Sequence, residues 1–80
     1  MTTASRPRLA SKARLRYDRI AKAEMLLYPE HGLVLNASAA AIVRACDGRT
    51  VGEIAAALGA PVGDVLELLA ALAERGLVRE

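Results

Sequence analysis

Chemistry in this chain of 80 residues would have to begin from Cys46, His31 or the carboxylates, and none stands where catalysis needs it. A nucleophilic thiol wants a neighbouring base or cation that favours the thiolate. Cys46, the single cysteine, instead follows Ile42, Val43 and Ala45, where a thiol behaves as a small hydrophobe. His31, the only histidine, lies beside Gly32 in turn-like sequence, and no second ligand stands at metal-site spacing from it. The carboxylates are scattered over helix starts and solvent faces and form no acid–base couple. Gly48, Gly52, Gly59 and Gly63 never make the spacing of a phosphate-binding loop. The sequence therefore predicts no enzyme, no metal and no cofactor, which leaves binding as the expected role.

The elements that would position a binding surface must come from a small apolar core. Apolar residues make up 54% of the chain, which argues against disorder. With two Tyr and no Phe or Trp, that core has to be Leu, Val, Ile and Ala. One cysteine rules out an internal disulfide, no apolar run approaches the roughly 20 residues of a membrane span, and no secretory apolar segment is found, so a cytoplasmic setting is expected. The net charge of +2 is unevenly spread: residues 1–22 carry seven basic groups and one acid, a net +6, leaving −4 on residues 23–80. Such a basic front could touch an acidic partner, or only solubilise the chain.

Residues 1–13 show no period and read as a flexible basic tail; residues 14–80 read as one domain. From Arg14 to Ile20, Leu15 and Tyr17 alternate with charges, as in a half-buried strand. Glu24–Tyr28 is a second strand, Pro29-Glu30-His31-Gly32 supplies turn chemistry, and Leu33–Leu35 is a third. Three helices follow. Asn36 caps the first, which runs to Asp47 and ends at Gly48. Thr50 and Glu53 form a capping box for the second, which stops at Gly59. Pro61 suits the first turn of the third, which ends at Gly76 with Leu77 folding back. The expected fold is α+β, a three-stranded antiparallel sheet followed by three helices, winged helix-turn-helix-like.

A winged-helix order raises DNA binding as an alternative. A recognition helix must offer side chains that reach phosphates and base edges. Residues 61–69 offer Asp64 and Glu67 and no such reader, and carboxylates are repelled by a polyanion. Two other features point to a peptide. On the third helix Val62, Val65, Leu66, Leu68, Leu69, Ala70, Leu72 and Ala73 cover an arc of about 200°, where a helix on one core needs little more than about 100°. The excess calls either for a second apolar partner or for a domain that wraps the helix on two sides. The third strand carries no charge, whereas the first is guarded by Arg14, Arg16 and Arg19. An unguarded edge is either covered or open to an incoming strand, a known way of recognising extended peptides.

Leu26-Leu27-Tyr28-Pro29-Glu30, then Leu35-Asn36 with Ser38-Ala39-Ala40 and Ile42, closing on Asp47-Gly48, resembles the central signature of the PqqD family. Arg14–Asp18 upstream, and Glu53-Ile54 and Gly76-Leu77-Val78 downstream, are similar to its first strand and helical half. The resemblance implies a peptide chaperone of pyrroloquinoline quinone biosynthesis, which binds the precursor peptide PqqA and presents it to the radical-SAM enzyme PqqE. It implies no nucleic acid, no membrane and no cofactor. It places Leu33, Val34 and Leu35 in the backbone-pairing role with Asn36 at the strand's end, and makes Val65, Leu68, Leu69 and Leu72 the candidate apolar wall, with the opposite edge of the arc, Leu66 and Ala70, as the alternative. The alternatives are a recognition domain of another ribosomal-peptide pathway or, more weakly, a winged-helix regulator. An open edge also permits a homodimer.

Overall fold

The computed structural model describes residues 1–29 and 31–80. Its elements run β1 (Arg8–Leu9), β2 (Arg14–Asp18), β3 (Ala23–Tyr28), β4 (His31–Leu35), α1 (Ala37–Arg44), α2 (Val51–Leu58), α3 (Val62–Glu74) and β5 (Val78–Arg79). The expected antiparallel sheet is present in the order β2-β3-β4, and the three helices follow it.

Local chemistry sets the boundaries. Strand β2 ends at Asp18, short of Ile20, because the Asp18 carboxylate accepts from the Ile20 and Ala21 N–H groups at 2.9 and 3.4 Å and turns the chain. Strand β4 starts two residues earlier than its apolar run, since Tyr28 already faces His31 across the reversal. The turn reading also used Glu30, which lies outside the described residues. Helix α1 stops at Arg44, not Asp47. The Ala45 N–H divides between the Ala41 and Ile42 carbonyls and the Cys46 N–H reaches Val43, a tightening that closes the helix.

Both capping expectations on α2 hold: Glu53 N–H donates to Thr50 Oγ1 at 3.1 Å, and Thr50 N–H to Glu53 Oε1 at 2.8 Å. Pro61 stands one place before α3, at its N-cap, and not in the first turn. At the other end Gly76 takes φ 74°, its N–H reaching Ala73 O at 3.0 Å and that of Leu77 reaching Leu72 O at 3.0 Å. A side chain at Gly76 would be strained in that left-handed conformation, and the two bonds fold Leu77 into the core.

Residues 1–13, read as a tail without period, contain structure. Arg8 and Leu9 pair antiparallel with Arg79 and Val78, and Pro7, Ala10 and Ala13 are buried. Ser5 O and Thr3 O accept from the Val51 and Gly52 N–H groups at 2.9 and 3.0 Å, so this segment caps the first turn of α2 with its own carbonyls. The domain's body therefore begins before Arg14. A two-residue strand is too short to show alternation, and its partner lies at the far end of the chain.

Helix α1 lies on the inner face of the sheet, while α2, α3 and β5 close the core from the other side. Leu26, Val51, Ile54, Val65, Leu69 and Leu77 are its fully buried centre. Each such side chain contributes about 1.5–3 kcal/mol by leaving water.

Candidate functional site

The pairing register fixes what β4 offers. Tyr28 opposes His31 across a two-residue link, and the closing pair of such a hairpin exchanges backbone hydrogen bonds. Alternation then makes Leu26–Leu33 and Glu24–Leu35 bonded pairs, and Leu27–Gly32 and Met25–Val34 non-bonded ones. The β2–β3 register agrees: Asp18 closes on Ala23, so Arg16–Met25 and Arg14–Leu27 are bonded, and each residue of β3 points to one neighbour only. Gly32 and Val34 consequently aim their N–H and C=O groups away from the sheet, along an edge with no partner strand among the described residues.

The same parity sorts the side chains. Leu33 and Leu35 face inward, Leu33 half-buried against the core and Leu35 buried in it. Val34 faces outward and is 60% exposed, so it is open to a ligand. Asn36 is exposed at the end of the strand and its Oδ1 accepts from Ala39 N–H at 2.7 Å, which commits that oxygen to capping α1.

The candidate wall on α3 divides. Val65, Leu69 and Leu72 are 0%, 0% and 2% exposed, so the domain's own core occupies them. Leu68 is half-buried, as are Leu66 and Ala73 on the opposite flank, and Val62 is exposed at the helix start. Helix α3 packs chiefly on α2 and β5, and β4 on β3 and α1, so strand and helix meet through the shared core more than across an open cleft. A surface hollow of about 340 Å³ adjoins Leu68, bordered by Asp64, Glu67 and Ala71. Another, of about 280 Å³, lies at the end of β4 between Leu35, Asn36, Tyr17, Lys22 and Glu24. Glu24 there is paired with Arg44 of α1.

Reading by residue type missed Gly32. It lacks a side chain to attract attention, yet its backbone is half of what the free edge presents. Counting pairs outward from the Tyr28–His31 reversal would have found it.

The shifted titratable groups serve the fold. Burial, and secondarily the charge of Asp47, push the Cys46 thiol up to about 11, so it stays protonated, and its Sγ lies 3.3 Å from Ile42 O. The Thr50 backbone N–H holds the Glu53 carboxyl below its ordinary range, as a capping partner. His31 is exposed, its ring 5.3 Å from that of Tyr28. Among the described residues no three His, Cys, Asp or Glu side chains gather closely enough to hold a metal, and no helix is long and apolar enough to cross a membrane.

The family model described as coenzyme PQQ synthesis protein D (PqqD) matches residues 24–78. A PqqA binding protein of Bradyrhizobium diazoefficiens is 34% identical over 89 aligned positions, covering 100% of this chain and 86% of that protein. The bifunctional coenzyme PQQ synthesis protein C/D of Methylorubrum extorquens is 37% identical over 78 positions. That match covers 86% of this chain but only 21% of the bifunctional protein's length. The solution NMR structure of the PqqD truncation of Methylobacterium extorquens PqqCD, described as a functional, stand-alone recognition element for ribosomally synthesized and post-translationally modified peptides, superposes with a TM-score of 0.83. It is 34% identical and covers 99% of this chain and 94% of the other.

Proposed function

Because the chain belongs to the PqqD family, we propose that it binds the precursor peptide PqqA as a strand added to β4 and presents it to the radical-SAM enzyme PqqE. The observation that carries this reading is the free edge at Gly32 and Val34, beside side chains that are apolar on both faces of the strand. Backbone groups pair with any extended peptide, while Leu33 on the inner side and Val34 on the outer side discriminate among them. A relative that binds PqqA and a matching recognition-element structure support the choice of ligand. The chain acts as an adaptor and leaves the chemistry to its partner. Helix α3, in the place of a winged-helix recognition helix, turns Asp64 and Glu67 to solvent, which opposes duplex DNA.

The test is an NMR titration of labelled protein with PqqA, duplex DNA serving as the control. Shifts concentrated on residues 31–36 with PqqA are expected. A response to DNA alone, or to PqqA only at sites remote from β4, would overturn the reading.

A further inference from the structure

The outer face of the sheet, opposite the core, is built unlike an ordinary solvent face. An antiparallel sheet with one buried side normally alternates apolar-in with polar-out. Here the register puts Met25, Leu27 and Val34 on the outer side, with Arg14 across from Leu27 and Arg16 across from Met25. A Cβ placed on Gly32 would stand 3.0 Å from Met25 Cε and 3.3 Å from Leu27 Cδ2, so these two side chains close over the glycine into one apolar strip. At the end of the β2–β3 hairpin Ile20 is 95% exposed, between Arg19 and Lys22, and an isoleucine so placed gains nothing for the fold. Among the described residues, the ion pairs of the domain use Arg6, Arg44, Arg49 and the N-terminus, and none uses Arg14, Arg16, Arg19 or Lys22. Among the described residues the one acid on this face, Asp18, turns its carboxylate to the loop N–H groups. Helix α1 packs on the inner face of the sheet, while on the outer one Met25 and Leu27 are half-buried and Val34 is exposed.

We infer that this outer face, from the Met25–Leu27 strip to the Ile20 tip, is the docking surface for the modifying enzyme, which meets it with an acidic surface having an apolar centre. The assignment rests on the reading that the chain hands its peptide to an enzyme. Three arguments select the occupant. Apolar side chains flanked on one side by arginines that enter none of the described ion pairs have the composition of protein interfaces. A second copy of the chain is disfavoured, because stacking two such faces opposes the same basic groups. The peptide does not reach the arginines: β2 lies two strands from β4, about 9–10 Å away, and an added strand would sit on the far side of β4. Val34 is the corner where edge and face meet, so an enzyme docked here would lie directly beside the peptide paired at the edge.

The test uses the full chain, PqqA, and PqqE of the same pathway. Arg14→Glu combined with Arg16→Glu is expected to weaken enzyme affinity at least tenfold while PqqA affinity stays within twofold, and Ile20→Asp to weaken only the enzyme. All three positions are exposed, and an unchanged thermal midpoint would establish that the variants fold. Enzyme binding that survives the double reversal overturns this assignment alone, leaving the peptide reading intact. Failure of the unaltered chain to bind the enzyme while it binds PqqA overturns the delivery reading and this assignment together. Binding to vesicles containing phosphatidylserine, lost with Ile20→Asp and without any enzyme binding, would reassign the face to a membrane and overturn the proposal.

Discussion

Replacing Val34 by proline tests the edge at the level of a single atom. Proline removes one N–H and fixes φ near the extended range, and it is tolerated on an edge strand when that N–H faces solvent. The register puts Val34 opposite Met25 in a non-bonded pair, so the domain itself does not use its N–H. Leu33, the residue before it, is already extended, as a residue preceding proline prefers. The side chain removed is 60% exposed, so little burial is lost. Stability should change by less than about 1 kcal/mol. An added peptide strand, in contrast, loses one hydrogen bond and leaves its own carbonyl unmatched at the interface. The combined loss is about 1–3 kcal/mol, a factor of roughly 5 to 140 in Kd. Calorimetric titration with PqqA measures it, and thermal unfolding checks the fold. Leu33→Pro is the control, since Leu33 exchanges bonds with Leu26 and its loss should unfold the hairpin. Val34→Pro that folds and binds PqqA within twofold of the unaltered chain would refute strand addition at β4. Unfolding by Val34→Pro and not by Leu33→Pro would refute the register.

Leu69→Ala, at a fully buried position, should cost about 2–5 kcal/mol in urea unfolding, and Leu68→Ala, at a half-buried one, distinctly less; equal losses would contradict the division of α3 into core and flank. Deleting residues 1–10 removes the bonds Val51 N–Ser5 O, Gly52 N–Thr3 O and Ala10 N–Leu77 O together with β1. Those three bonds alone are worth about 1.5–4.5 kcal/mol, so the thermal midpoint should fall, and an unchanged midpoint would restore the tail reading. The Cys46 thiol should resist alkylation at pH 8 in the folded protein and react once denatured. Its folded pKa is raised to about 11 from an ordinary 9.0, so stability is held below pH 9 and lost as pH rises towards 11; no loss across that interval would argue against a buried thiol.

The order of elements was legible because each carries its own punctuation: alternation at Leu15 and Tyr17, the Thr50–Glu53 box, Gly59 and Gly76 after their helices. The pairing of β1 with β5 was not, since two residues carry no period and the contact spans the length of the chain. Helix α3 shows a different limit. Periodicity gave it an apolar arc wider than one core requires, but an arc does not say which of its residues the core will take. Packing answered: the middle of the arc, Val65, Leu69 and Leu72, went inside, and the excess remains at Leu66, Leu68 and Val62. On β4 the charge-free run was visible, while the outward parity of Gly32 and Val34 needed the register.

That parity also limits what the edge can achieve alone. Gly32 and Val34 together offer two N–H and two C=O groups, hence at most four backbone bonds to an added strand. At about 0.5–1.5 kcal/mol each they supply about 2–6 kcal/mol, whereas micromolar binding requires about 8 kcal/mol net after an association cost of at least about 4 kcal/mol. Strand pairing therefore sets direction and register, and apolar side chains must supply the remainder. Successive residues of an added strand fall alternately beside Leu33 on the inner face and Val34 on the outer one, so a peptide that binds tightly must carry apolar residues of both parities. A leader altered to a polar residue at either parity should lose affinity without losing the backbone pairing, and the two losses should differ, because the half-buried Leu33 side excludes water and the exposed Val34 side does not.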